Sequence, residues 1–201
     1  MTFEIEEAAF PGALCEYAPI SIAFEVSRVY EVSDAPRNGV RLPLTERSLA
    51  NPYVKDYDSV AGDAPRDWAQ RFDLSRWIAL LAREESGAIG AAAVAFDTPG
   101  VDMLEGRRDL AVLWDIRVAP EARGRGVGGA LFRAAEAWAR SKGCVELKVE
   151  TQNVNVRACL FYVGQGCRLR TVNRGAYPDL PHEIQLLWHK DLTRTEGASL
   201  P

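Results

Sequence analysis

Arg123-Gly124-Arg125-Gly126-Val127-Gly128-Gly129 is the stretch whose reading decides the fold. An apolar segment, Leu110 to Val118, precedes it and closes in Ala119-Pro120. Ala130-Leu131-Phe132-Arg133-Ala134-Ala135-Glu136-Ala137-Trp138-Ala139-Arg140 follows, with Leu131, Ala134, Ala135 and Trp138 at helical spacing. The order is therefore strand, glycine loop, helix. Glycines at a helix start let several backbone N–H groups converge with no Cβ in the way. Those donors, with the positive end of the helix dipole, favour an anion, above all phosphate. The loop is expected to hold a diphosphate.

Three phosphate carriers compete for it. A P-loop ends in Gly-Lys-Ser/Thr, whereas Gly129 is followed by Ala130 and Leu131. The dinucleotide fingerprint G-x-G-x-x-G is met literally by Gly124, Gly126 and Gly129, with Glu146 or Glu150 about 20 residues on. In that motif, however, the glycines follow the strand almost at once, and here residues 119–123 intervene. Its fold also needs further βαβ units, for which too little chain remains. The third pattern fits every position. Arg123-x-x-Gly126-x-Gly128 resembles the acyl-CoA loop of the GNAT N-acetyltransferases, R/Q-x-x-G-x-G/A. Asn155-x-x-Ala158-x-x-Phe161-Tyr162-x-x-x-Gly166 resembles the second segment of that family, at the right distance. A bare packing role explains the loop poorly, because three glycines and two arginines are costly in a plain connection.

The resemblance implies an α/β (α+β) fold. Its central sheet is mixed, mostly antiparallel and of about seven strands, splayed between strands four and five, with helices on both faces. It also implies acetyl-CoA as co-substrate and no metal. The cofactor would be held by Ile116, Arg117 and Val118 on strand four, by Arg123, Gly124, Arg125, Gly126, Val127, Gly128 and Gly129 in the loop, and by Asn155. A backbone N–H on strand four would polarise the thioester carbonyl. Tyr162 matches the family position that protonates the departing thiolate.

An alkyl ammonium of pKa near 10.4 must lose a proton before it attacks, which costs about 4.6 kcal/mol at pH 7. A positioned base relieves that cost. Glu150, ending strand five, is the first candidate; a glutamate at that offset resembles the ribosomal-protein N-acetyltransferase branch. Asp115 on strand four is the second, as base or substrate anchor, with a polar residue at a strand bulge as its alternative. The glutamate that other branches carry earlier in strand four falls near Val112, so the base assignment stays open between Glu150, Asp115 and water.

Outside the motifs, the 201 residues are read as one domain, with 1–19 an N-terminal extension of helix or loop and 193–201 a frayed tail. Ile20 to Val32 reads as strand one. Residues 33–62 look irregular, with Pro36, Gly39, Pro43 and Pro52. In them Tyr53, Tyr57, Asp56 and Asp58 could reach a cationic ligand. Trp77–Arg83 and Ala88–Phe96 read as a hairpin, with Ala91, Ala92 and Ala93 packed under a helix. Cys144–Thr151, Cys167–Asn173 and Glu183–His189 complete the strands.

A net charge of −4 gives no reason to expect a nucleic-acid partner. No run approaches the roughly 18 apolar residues of a membrane span, and the acidic N-terminus lacks a signal pattern. Four cysteines without C-x-x-C spacing fit reduced thiols in a cytoplasmic protein. With His182 and His189 alone, a zinc site is disfavoured. A homodimer is compatible with all of this.

A finer resemblance covers most of residues 20–192. Leu113 to Pro120, Val149 to Tyr162, and Tyr177-Pro178 followed by Glu183-Ile184 are similar to the streptothricin acetyltransferases, as are Ile20–Val26 and Asn51–Asp58. It implies acetyl transfer to a primary amine of a small cationic substrate, with streptothricin as the leading case and antibiotic resistance as the role. Asp115, Glu150 and Tyr177 would contact that substrate, and Asp179 and Glu183 would add negative charge. A protein or peptide N-terminal acetyltransferase and a non-catalytic acyl-CoA-binding module are the alternatives.

Overall fold

A buried, small-residue sheet with one glycine-headed helix laid closely on it organises the molecule. The computed structural model describes residues 2–32 and 44–193. Its elements are β1 (Glu4–Ala9), α1 (Leu14–Tyr17), β2 (Phe24–Val32), β3 (Leu44–Lys55), α2 (Trp68–Arg71), β4 (Ile78–Glu84), β5 (Gly87–Phe96), β6 (Leu110–Val118), α3 (Val127–Ser141), β7 (Glu146–Gln152), α4 (Val156–Gly164), β8 (Arg168–Asn173) and β9 (Gln185–Asp191). Seven strands form one sheet in the order β1-β4-β5-β6-β7-β9-β8, and β2 and β3 form a separate ribbon. β6 and β7 run parallel, with α3 between them in sequence. The β1–β4, β4–β5, β5–β6 and β8–β9 pairs are antiparallel. A dinucleotide-binding fold needs a mostly parallel sheet, so the G-x-G-x-x-G reading fails.

The described chain divides into two compact units. The first comprises Met1–Ala23, Asp56–Val149 and Lys190–Pro201. In it, Ala79–Ala82, Ala91–Ala95 and Leu110–Val112 have no solvent exposure. α3 packs on β5 and β6. The approach is so close at Gly90 that an added Cβ would lie 2.8 Å from Val127 Cγ1 and 3.2 Å from the Arg117 carbonyl oxygen. This is the packing expected of Ala91 to Ala93. Elsewhere in the unit Phe10, Tyr17, Trp68 and Trp77 form an aromatic cluster, with ring centroids 5.5–6.4 Å apart.

The second unit comprises Phe24–Lys55 and Glu150–His189. Its small core is Val26, Val29 and Val154, with Phe24 and Leu49 packed against them. Asn153 stitches this unit together. Its Nδ2 donates to the Tyr30 carbonyl at 2.9 Å, and its Oδ1 accepts from the Ile184 N–H at 2.8 Å.

Three expectations are corrected. Residues 4–9 form an edge strand of the main sheet rather than helix or loop; the alternation of Phe3, Glu4, Ile5 and Glu6 is short and breaks at the exposed Glu7. Strand one begins at Phe24, not Ile20, and pairs with β3 outside the main sheet. Residues 44–55 are strand, not loop, although almost every side chain is exposed. Pro52 is tolerated there because the register shifts between Val26 and Arg28, leaving Leu49–Pro52 outside the paired positions. Residues 33–43 and 194–201, expected to be irregular and frayed, lie outside the described residues.

Candidate active site

The donor side is built on β6. Its parallel register with β7 runs from Leu110↔Glu146 to Leu113↔Val149 and ends there. Asp115 to Val118 continue to pair with β5, at Ala93 to Gly90. The β5–β6 register shifts at Trp114, a bulge that bends the strand where its β7 pairing stops. The segment Ile116–Val118 is paired to β5, beyond the Leu113↔Val149 pair that is the last in register with β7.

The loop after β6 needs its glycines. Gly124 and Gly126 have φ of +79° and +84°, a region a side chain rarely adopts. A Cβ at either would meet nothing within 4 Å. α3 starts at Val127 with no side-chain cap and no acidic residue in its first turn. Its first helical bond runs from the Ala130 N–H to the Gly126 carbonyl at 3.0 Å. The amides of Val127, Gly128 and Gly129 precede that bond, at the positive end of the helix, where an anion could be held. The arginine side chains brace the loop. Arg123 Nε donates to the Val118 carbonyl at 3.0 Å and Nη2 to the Ala23 carbonyl at 3.1 Å, and Arg125 pairs with Glu84. At this loop, therefore, the backbone is what fits a diphosphate.

Asp115, on β6, belongs to a cluster of charged and hydroxyl groups. Its Oδ1 accepts from the Tyr17 hydroxyl at 2.6 Å and from Arg117 Nε at 2.9 Å, and its Oδ2 accepts from Arg117 Nη2 at 2.7 Å. Arg117 also donates to Asp58 at 2.9 Å and to the Ile20 carbonyl at 3.0 Å. Its side chain is 1% exposed. Burial alone would lower the Arg117 pKa, but Asp115 first and then Tyr17 and Asp58 together raise it above its usual range, and burial beside Asp115 pushes the Tyr17 phenol well up. Asp115 and Asp58 are thus both ion-paired to Arg117.

Glu150 has a different setting. Its Oε1 accepts from the Tyr177 hydroxyl and from Gln152 Nε2, and its Oε2 accepts from Gln185 Nε2 at 2.8 Å. All three donors are neutral. Two residues expected at the site, Glu150 and Tyr177, are therefore in contact. Gln152 and Gln185 complete the cage; Gln152 lies within the Val149–Tyr162 stretch but carries no assigned role there, and Gln185 lies outside the stretches singled out. Asn155 caps α4, its Oδ1 accepting from the Ala158 N–H at 3.1 Å. Tyr162 lies on α4, 4% exposed, with its ring edge-on to Phe161. Glu183 forms an ion pair with Lys55 at 2.5 Å, and Asp179 is exposed.

A glycine-headed helix following a strand whose parallel pairing stops midway is the donor half of an acyltransferase. The chain belongs to the Acetyltransferase (GNAT) family, whose profile matches residues 43–166. Among curated proteins it is similar to streptothricin acetyltransferase A of Bacillus subtilis (strain 168), with 29% identity over 154 residues, 76% of this chain and 80% of that protein. Among solved structures it resembles a nourseothricin acetyltransferase with TM-score 0.73, at 23% identity over 96% of this chain and 99% of the other. A Bacillus anthracis str. Ames protein assigned as a streptothricin acetyltransferase, solved with acetyl coenzyme A, also matches with TM-score 0.73. Its identity is 23% over 95% of this chain and 98% of its own.

Proposed function

We propose that the protein is an acetyl-CoA-dependent N-acetyltransferase that acetylates a primary amine of a small cationic substrate, streptothricin among them, by direct attack in a ternary complex. The observation that carries this reading is Glu150, a carboxylate held by neutral donors alone and without a Lys or Arg partner among the described residues. It keeps its negative charge available to an ammonium. The curated streptothricin acetyltransferases support the choice of acceptor. Acetylation of such an amine removes a charge on which a cationic antibiotic depends, so the role is detoxification.

When bound, acetyl-CoA supplies an activated acetyl thioester. The amides of Val127, Gly128 and Gly129 hold its diphosphate, and the backbone of Ile116–Val118 orients its arm and carbonyl. Glu150 attracts the ammonium and takes its proton at Oε1 or Oε2. The Tyr162 hydroxyl is the assigned proton donor to the leaving sulfur.

The test is thiol release from acetyl-CoA with a panel of cationic amines that includes streptothricin. Amine-dependent release is expected, with streptothricin among the best acceptors. A rise in melting temperature with acetyl-CoA but no release with any amine would establish a binding module instead. Preference for peptide N-termini would establish a peptide acetyltransferase. No melting shift with acetyl-CoA would refute the donor site itself.

A further inference from the structure

The donors around Glu150 come from three chain segments, all within the second unit. Glu150 and Gln152 share one side of β7, because alternate residues of a strand face the same way. Thr151 between them is buried on the other side, where its hydroxyl accepts from Trp188 Nε1 at 2.8 Å. Asn153 then ties the end of β7 to the start of β9. Its N–H donates to the Ile184 carbonyl at 3.0 Å, and its Oδ1 accepts from the Ile184 N–H at 2.8 Å. That tie brings Gln185 beside Glu150. Tyr177 opens a turn closed by the Leu180 N–H on its carbonyl at 3.0 Å, with Pro178 at the position where a fixed φ suits such a turn.

The two oxygens of Glu150 are not equivalent. An ionised carboxylate only accepts, with about two lone pairs on each oxygen. Oε1 uses both of its lone pairs, on the Tyr177 hydroxyl and on Gln152 Nε2 at 3.3 Å. Gln152 Nε2 also donates to the Tyr177 hydroxyl at 2.8 Å, so these three groups hold one another in place. Oε2 uses one lone pair, on Gln185 Nε2 at 2.8 Å, and no other donor reaches it among the described residues. A proton arriving at Oε1 would displace one of two existing donors. A proton arriving at Oε2 leaves Oε1 as a carbonyl oxygen, which still accepts both.

The structure assigns Glu150 Oε2 as the atom that takes the proton from the acceptor's ammonium, with Tyr177 and Gln152 as the positioning residues that aim it. This rests on the transferase reading and names the atom and the partners of its proton transfer. In that step an ammonium N–H bond breaks and its electron pair stays on nitrogen for attack on the acetyl carbonyl. The proton forms an O–H bond at Oε2, and the carboxylate becomes a neutral carboxyl. Tyr177 neither gains nor loses a proton; it acts through Glu150.

The test is a double-mutant cycle on kcat/KM, with streptothricin and cadaverine as acceptors and acetyl-CoA saturating. Tyr177→Phe lets the carboxylate turn and should lower kcat/KM by about 10–100-fold at pH 7. In the Glu150→Gln background the same change should cost about twofold or less, because no base remains to be aimed. The loss from Tyr177→Phe should also shrink toward pH 9, where free amine is about 100-fold more abundant than at pH 7. Gln185→Met, which leaves Oε1 held, should stay within about threefold of the parent. Gln152→Met removes the other donor to Oε1 and carries the same cycle should Tyr177→Phe melt early. Equal losses from Tyr177→Phe in both backgrounds, or a loss equal at every pH, would overturn the positioning role. A larger loss from Gln185→Met than from Tyr177→Phe would move the proton to Oε1 and overturn the atom assigned. Those results leave the transferase reading standing. Glu150→Gln within about threefold of the parent, or no thiol release with any amine, would instead defeat that reading and this assignment with it.

Discussion

Replacing Glu150 by Gln removes one charge while nearly preserving shape. Tyr177 and Gln152 donate to one carboxylate oxygen and Gln185 to the other. A glutamine keeps an oxygen for Tyr177, and an amide flip of Gln185 accommodates the new NH₂. The cage should survive, and the variant should melt within a few degrees of the parent. Its chemistry should not survive. At pH 7 an amine of pKa near 10.4 is about one part in 2,500 free base, a deficit of about 4.6 kcal/mol. A positioned base contributes about 10²–10⁴ in rate. Glu150→Gln should therefore lower kcat/KM for the amine by about 10²–10⁴ at pH 7 and leave KM for acetyl-CoA nearly unchanged. The deficit should also shrink with pH, because free amine rises about 100-fold between pH 7 and 9 and can then attack without the base. Thiol release measured at a series of pH values for both proteins reads all of this. A variant within about threefold of the parent at pH 7, or a loss equal at every pH, would refute Glu150 as proton acceptor.

Tyr162→Phe should lower kcat far more than acetyl-CoA affinity; unchanged turnover would remove the proton-donor role. Arg117→Met strands the Asp115 and Asp58 carboxylates and should cost about 3–5 kcal/mol in urea unfolding. Gly90→Ala drives a Cβ to 2.8 Å from Val127 Cγ1. It should cost about 1–3 kcal/mol, read as a melting temperature lower by about 2–4 °C per kcal/mol. Burial pushes the Cys144 and Cys159 thiols up to about 11, whereas Cys15 is exposed. The native protein should give one fast equivalent with a thiol reagent, and the denatured chain all four. These thiols stay protonated in the fold up to about 11 but ionise near 9 once unfolded, so they favour the folded state below pH 9. That stabilisation should be lost progressively as pH rises from 9 to 11.

The donor half was legible because its constraints are local. Gly124 and Gly126 announce positive φ, and the spacing of Leu131, Ala135 and Trp138 announces the helix. Leu110–Val118 reads as a strand because its apolar run ends at Ala119-Pro120. β1 and β3 were hidden for the converse reason. Their side chains are mostly exposed, so no burial pattern is written into them, and only their partners, β4 and β2, make them strands.

The acceptor half was legible in composition but not in charge. Asp115, Glu150, Asp179 and Glu183 look equivalent along the chain, as four carboxylates suited to a polycation. Their partners are not local. Tyr17 lies 98 residues from Asp115, and Lys55 lies 128 residues from Glu183. Arg117 is near Asp115 in sequence, but its second carboxylate, Asp58, is 59 residues away, and only the fold shows that the three form one buried cluster. Removing the carboxylates already matched by a cation leaves Glu150 and the exposed Asp179. The negative charge open to a substrate is then much smaller than a count of acids implies.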